Sequence, residues 1–145
     1  MSQNGKKLKL GGLGVSCSLE IDQSGNVTKQ RSDIFGVAVW PSAPHMPPEI
    51  YDNTGYDQSV DIWALGVSLY KMCSRQFPYV PKSYLDRRSR AFREMIKSTQ
   101  YPPLPDFYSD QLEQVVDMCL RKDSSLRPSV DTIIDLLEEL QFSSE

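Results

Sequence analysis

Gly11-Gly12-Leu13-Gly14 follows a short alternation of charged and apolar residues, Lys7-Leu8-Lys9-Leu10. Glycines at such a point can cradle a phosphate, because backbone N–H groups approach an anion closely where no Cβ intervenes. Here no Lys-Ser or Lys-Thr follows and the preceding strand is about four residues, so a structural turn is the better reading. The one histidine, His45, stands among prolines with no carboxylate partner implied, and reads as a solvated or loosely packed loop residue rather than an acid or base. Cys17, Cys73 and Cys119 are widely spaced with no CxxC pair, so no metal site is expected. Arg87, Arg88, Arg90 and Arg93 form a local basic run able to bind an acidic partner or phosphate groups, although such runs are usually solvated helix faces.

These residues need a scaffold, and the composition supports one. Hydrophobic residues make up 39% of the 145, charged residues 24% and aromatics 10%, which fits one globular domain with a core. Sixteen Lys and Arg against nineteen Asp and Glu leave a net charge of -3, which argues against a nucleic-acid or anionic-membrane surface. No signal peptide or membrane-spanning stretch is read in the sequence. Two of the cysteines lie in apolar helical patterns, as small buried hydrophobes of a reducing compartment would, and a cytoplasmic protein is expected.

Three zones position the chemistry. Residues 1 to about 56 are rich in Gly, Ser and Pro, with strand-like fragments such as Lys7–Leu10. Four prolines between Pro41 and Pro48 forbid regular helix there. Residues Ser59 to about Cys73 are apolar nearly all round, which predicts a buried central helix with Ser59 as N-cap, closed by Phe77-Pro78. Three amphipathic helices follow. One, about Ser83 to Ser98, should lie on the surface with a stripe of Leu85, Ala91, Phe92, Met95 and Ile96. The next is capped by Ser109 and faces inward through Leu112, Val115, Val116 and Cys119; the last is capped by Ser129, with Val130, Ile133, Ile134 and Leu137 on one face. The tail from Gln141 should fray.

Three ordered stretches resemble the C-terminal lobe of a serine/threonine protein kinase. Lys9-Leu10-Gly11-Gly12-Leu13-Gly14 resembles the strand and D-F-G motif, with Gly12 in place of the aspartate and Leu13 in place of the phenylalanine. Met46-Pro47-Pro48-Glu49, followed by Tyr56 through Asp61-Ile62-Trp63-Ala64-Leu65-Gly66, is similar to the A-P-E end of an activation segment and the D-I-W-S-L-G helix. Leu120 to Ser129 resembles the closing pattern in which Arg-Pro opens the last helix. Tyr108-Ser109-Asp110-Gln111-Leu112 and Arg127-Pro128-Ser129-Val130 are most similar to the NIMA-related (NEK) family.

The resemblance implies a mainly α fold over 1–145, a partial kinase-like domain from the D-F-G strand to the last helix without an N-lobe, in which a buried helix is surrounded by three others behind an irregular, activation-segment-like region with short strands. It implies that Glu49 pairs with Arg127, that Asp61 accepts backbone hydrogen bonds from a catalytic loop, and that Trp63 and Gly66 serve packing. Val15 to Pro48 corresponds to the activation segment, where Thr28, Ser32 and Ser42 are the hydroxyls open to phosphorylation. Pro41-Ser42-Ala43-Pro44-His45 departs from the family pattern, which puts peptide-substrate docking in doubt. The sequence holds no H-R-D-x-x-x-x-N, and Gly12 cannot ligate magnesium. No catalytic residue is therefore expected, and ATP and Mg only if a complete upstream lobe exists. The chain reads as a truncated NEK-like pseudokinase that binds a protein partner; the alternatives are a portion of an active kinase whose N-terminal part is missing, or an unrelated small helical adaptor. Missing neighbours should leave apolar surface around Trp63 or Tyr70 exposed, inviting self-association.

Overall fold

A computed structural model describes residues 9–10, 16, 18–24, 27, 44–52, 55–80 and 90–142. Among them run five α-helices, α1 (Pro48–Asp52), α2 (Ser59–Ser74), α3 (Arg90–Ser98), α4 (Asp110–Cys119) and α5 (Val130–Phe142), with a 3-10 turn, Ser124–Leu126, between the last two. The mainly helical, kinase-lobe-like architecture read from the sequence is the one observed. Ahead of α1 the described residues hold one antiparallel bridge, Ile21 to Val27. Lys9 and Leu10 lie outside regular structure, with Leu10 92% exposed, and the rest of the expected Lys7–Leu10 strand lies outside the described residues.

α2 is the element the others pack around. Its start corrects the sequence reading: the Ser59 N–H donates to Asp57 Oδ1 at 2.9 Å and the Val60 N–H to the Asp57 carbonyl at 3.3 Å. Asp57 thus satisfies the first orphan donors, and Ser59 is drawn into the first turn with its hydroxyl buried and unpartnered among the described residues. The helix ends before Phe77-Pro78. Arg75 is left-handed at φ 60°, and its N–H reaches back to the Lys71 carbonyl at 2.9 Å. That closure satisfies a terminal carbonyl without glycine, at a steric cost for a residue with a Cβ.

The buried residues of α2 are Ile62, Trp63, Gly66, Val67 and Tyr70. α4 crosses it at Gly66, where a Cβ would stand 2.6 Å from Cys119 Cβ and 3.1 Å from the Leu120 side chain. The missing side chain is what lets the two backbones meet. One cluster joins Trp63, Val67, Tyr70, Tyr79, Phe92, Ile96, Leu104, Val116 and Leu120; a second joins Ile62, Val115, Cys119 and Ile133. Trp63 and Tyr70 are therefore buried, against the expectation that truncation exposes them. Tyr79 stacks on Trp63 at 6.0 Å, and Tyr101 meets Tyr70 edge-on at 5.2 Å, so the segments after α2 and α3 supply cover that helix patterning does not reveal.

The later helices keep their predicted caps: Ser109 Oγ accepts from the Leu112 N–H at 3.3 Å and Ser129 Oγ from the Thr132 N–H at 3.2 Å. α3 begins at Arg90 among the described residues, and the expected start at Ser83, with Leu85, Arg87 and Arg88, lies outside them. Phe92 and Ile96 seat its stripe in the core, while Ala91 is exposed. On α5 the expected face is corrected: Ile133 is buried, with Leu136 and Leu137 packed partly against the second cluster, but Val130 and Ile134 are 54% and 49% exposed. α5 remains helical through Gln141 and Phe142, where fraying was expected. Cys119 is buried and Cys73 half-buried, both as free thiols, and Cys17 lies outside the described residues.

Candidate functional site

The best-built polar site lies where α1, the start of α2 and the turn before α5 converge. Pro48 opens α1 with φ preset for a helix, and Glu49 follows in its first turn, where the helix dipole favours a carboxylate. Asp123 caps the 3-10 turn by accepting from the Ser125 N–H at 2.9 Å. Arg127 comes next in extended backbone, as the residue before a proline should be.

All five guanidinium donors of Arg127 are engaged. Nη1 and Nη2 donate to Glu49 Oε1 and Oε2 at 2.6 and 2.9 Å, a fork on a carboxylate. Nη1 also donates to the Ser59 carbonyl at 3.0 Å, Nε to the Arg121 carbonyl at 2.9 Å, and Nη2 to the Lys122 carbonyl at 3.4 Å. The Arg127 side chain is fully buried and that of Glu49 nearly so. The guanidinium carbon lies 5.0 Å from the Trp63 ring, so the plane is held by the indole as well as by oxygen. Such a pair ties three elements across 78 positions of sequence and leaves neither group free for acid–base work.

A second cation shares the indole. Lys122 Nζ donates to the Tyr79 hydroxyl and to the Ile96 carbonyl in the last turn of α3, and sits 4.0 Å from the Tyr79 ring and 5.4 Å from the Trp63 ring. Burial, with the neighbouring Arg127 charge, pulls its ammonium down to about 8. Nearby, Tyr101 donates to Asp117, and burial together with that carboxylate pushes the phenol well above its ordinary range. Sequence reasoning missed Lys122, Tyr79 and the Tyr101–Asp117 pair. A lone lysine in a polar loop carries no periodicity that marks it as half-buried.

The remaining predicted residues fall as follows. Gly66 is buried at the α2–α4 crossing; Trp63 is buried with its indole N–H unpartnered among the described residues; Asp61 is exposed in the first turn of α2. Gly12, Leu13 and Gly14 of the D-F-G-like stretch, and Thr28, Ser32 and Ser42, lie outside the described residues. His45 is half-buried rather than solvated: it meets the Phe77 ring edge-on at 5.3 Å, and burial and then the Lys71 charge lower its pKa. Among the described residues no group of His, Cys, Asp and Glu is arranged to hold a metal ion, and no helix is long and apolar enough to cross a membrane.

Comparison with known proteins agrees with this geometry. The protein kinase domain family matches residues 1–137. The G2-specific protein kinase nimA of Emericella nidulans is 34% identical over 63% of this chain, and mouse serine/threonine-protein kinases Nek3 and Nek4 are 35% and 30% identical over 62% and 88%. The aligned stretches amount to 12%, 17% and 14% of those relatives' own lengths, so the chain spans a small part of each. With the carboxylate of a P-P-E segment forked onto the arginine of an R-P-S segment, and the kinase match running nearly end to end, the chain belongs to the protein kinase domain family, among the NIMA-related serine/threonine kinases.

Proposed function

We propose that this chain is a NEK-like pseudokinase lobe that acts by binding a protein rather than by transferring phosphate, in the cytoplasm and without ATP or Mg. The observation that carries the reading is Gly12 in the register of the D-F-G aspartate. Phosphoryl transfer is mostly positioning and charge neutralisation, and a glycine brings no carboxylate to the metal that bridges the phosphates. The buried Glu49–Arg127 fork supports a kinase-lobe scaffold and is compatible with either reading of the activity. Near-balanced charge favours a protein partner over nucleic acid or membrane. The kinase family match sets aside the reading of an unrelated helical adaptor.

A second reading, a portion of an ATP-dependent serine/threonine kinase, is favoured by Asp61. Its carboxylate is exposed at the start of α2, in the position where the family pattern has it accept backbone N–H groups of a catalytic loop. One experiment separates the two. The natural protein, including whatever sequence precedes residue 1, is incubated with radiolabelled ATP, magnesium and a general protein substrate, beside its Gly12→Asp variant. The pseudokinase reading expects no transfer and no thermal stabilisation by ATP with magnesium in the natural protein. Robust transfer with Gly12 in place ends that reading and establishes the second.

A further inference from the structure

The last helix carries more apolar surface than its neighbours cover. At 100° per residue, Leu136, Ile133, Leu137, Val130 and Ile134 fall in order around an arc of about 160° of α5. α5 packs against α4 and, through Ile133, shares a cluster with Ile62 of α2; a core-facing helical stripe is about 100° wide, narrower than that arc. The residues follow that arithmetic: Ile133, within the arc, is buried, Leu136 and Leu137 on either side of it are partly covered, and Val130 and Ile134 beyond Leu137 are 54% and 49% exposed. Past that open margin stand Glu138, Asp131 and Asp135, all exposed, and α5 has no lysine, arginine or histidine anywhere along it.

We propose that the Val130–Ile134 margin of α5 is a docking seam for an amphipathic helix of a partner protein that carries lysine or arginine beside its apolar stripe. The apolar margin supplies burial along a helix-in-groove contact, and the three carboxylates select the sign of the partner's flank. The same carboxylates disfavour a second copy of this chain, because a two-fold contact would set acidic rim against acidic rim. The proposal rests on the protein-binding reading and names the surface and the chemistry of the partner. It leaves Glu49, Arg127 and Trp63 in their structural roles.

The test uses two synthetic amphipathic helices with the same leucine stripe, one flanked by lysines and one by glutamates, titrated against the full chain by fluorescence anisotropy. The lysine peptide should bind about tenfold more tightly or better. Ile134→Glu adds a negative charge, so an attraction of charge alone would strengthen; docking on the seam should weaken about tenfold. Val130→Glu is the second variant, and an acid in the first helical turn favours the helix, so folding is retained. Paired Asp135→Lys and Glu138→Lys should invert the preference. Equal binding of both peptides, no binding of the lysine peptide, or tighter binding by Ile134→Glu would overturn the seam. So would a concentration-dependent dimer abolished by Ile134→Glu, which makes a second copy the occupant. Phosphate transfer by the natural protein would end the pseudokinase reading while leaving the peptide result standing, so the two failures are distinguishable.

Discussion

Arg127 and Lys122 both approach the Trp63 ring, with the guanidinium carbon at 5.0 Å and the ammonium at 5.4 Å, yet their surroundings differ in kind. Arg127 has a carboxylate gripping it through both oxygens and three carbonyls on its remaining donors. Lys122 has a phenol, a carbonyl and two ring faces, and the described contacts of its ammonium include no carboxylate. A buried charge that is fully paired and hydrogen-bonded is held in place by the loss that follows when either partner is removed. A half-buried charge met by dipoles instead gives up its proton more easily, which is the direction Lys122 takes. The same indole thus backs one fixed tie and one titratable contact.

The largest effect should come from breaking the fixed tie. Glu49→Ala strands the Arg127 charge in the interior and should cost about 3–5 kcal/mol in denaturant unfolding. Exchanging the two residues, Glu49→Arg with Arg127→Glu, should not restore stability, because the new carboxylate would face the carbonyls of Ser59, Arg121 and Lys122. Recovery by the exchanged pair would show that the fork alone, and not the carbonyl cage, defines the site.

Lys122→Met should be neutral or stabilising at pH 7, since a charge met by no carboxylate among the described residues is replaced by a flexible apolar chain beside two rings. Loss of more than about 1 kcal/mol would mean that its cation–π contacts outweigh desolvation. The pH profile sharpens the same contrast. The native ammonium loses its proton near 8 and the unfolded one near 10.5, so between those values the unfolded chain binds more protons and stability rises with pH. Burial raises the phenols of Tyr51, Tyr79 and Tyr101, Tyr51 to about 12, so above pH 10 the native state holds protons the unfolded chain has lost, and stability falls. Melting temperature should therefore peak near pH 10, and Lys122→Met should remove the rise and keep the fall. The smallest effect is expected at Asp61: Asp61→Asn should change the melt of this chain by no more than about 0.5 kcal/mol, because the carboxylate is exposed.

Much of this was legible in the residues. The Glu49 and Arg127 pairing follows from two short motifs whose resemblance points to a tie, and the caps at Ser109 and Ser129 follow from side chains that satisfy donors two or three residues away. The N-cap of α2 is not legible in the residues because Asp57 and Ser59 are both good capping residues two positions apart, and only the backbone path selects between them. The cover over Trp63 and Tyr70 was missed because Tyr79 and Tyr101 lie in irregular segments, where no period announces an inward side chain.

The sequence by itself determined the family and the mainly helical class, because both are written in residue type and order over short range. Only the tertiary structure decided which charges are buried and which apolar residues are left uncovered. Burial depends on what other segments bring to a side chain, so Lys122 is half-buried beside two rings while Val130 and Ile134 remain at the surface.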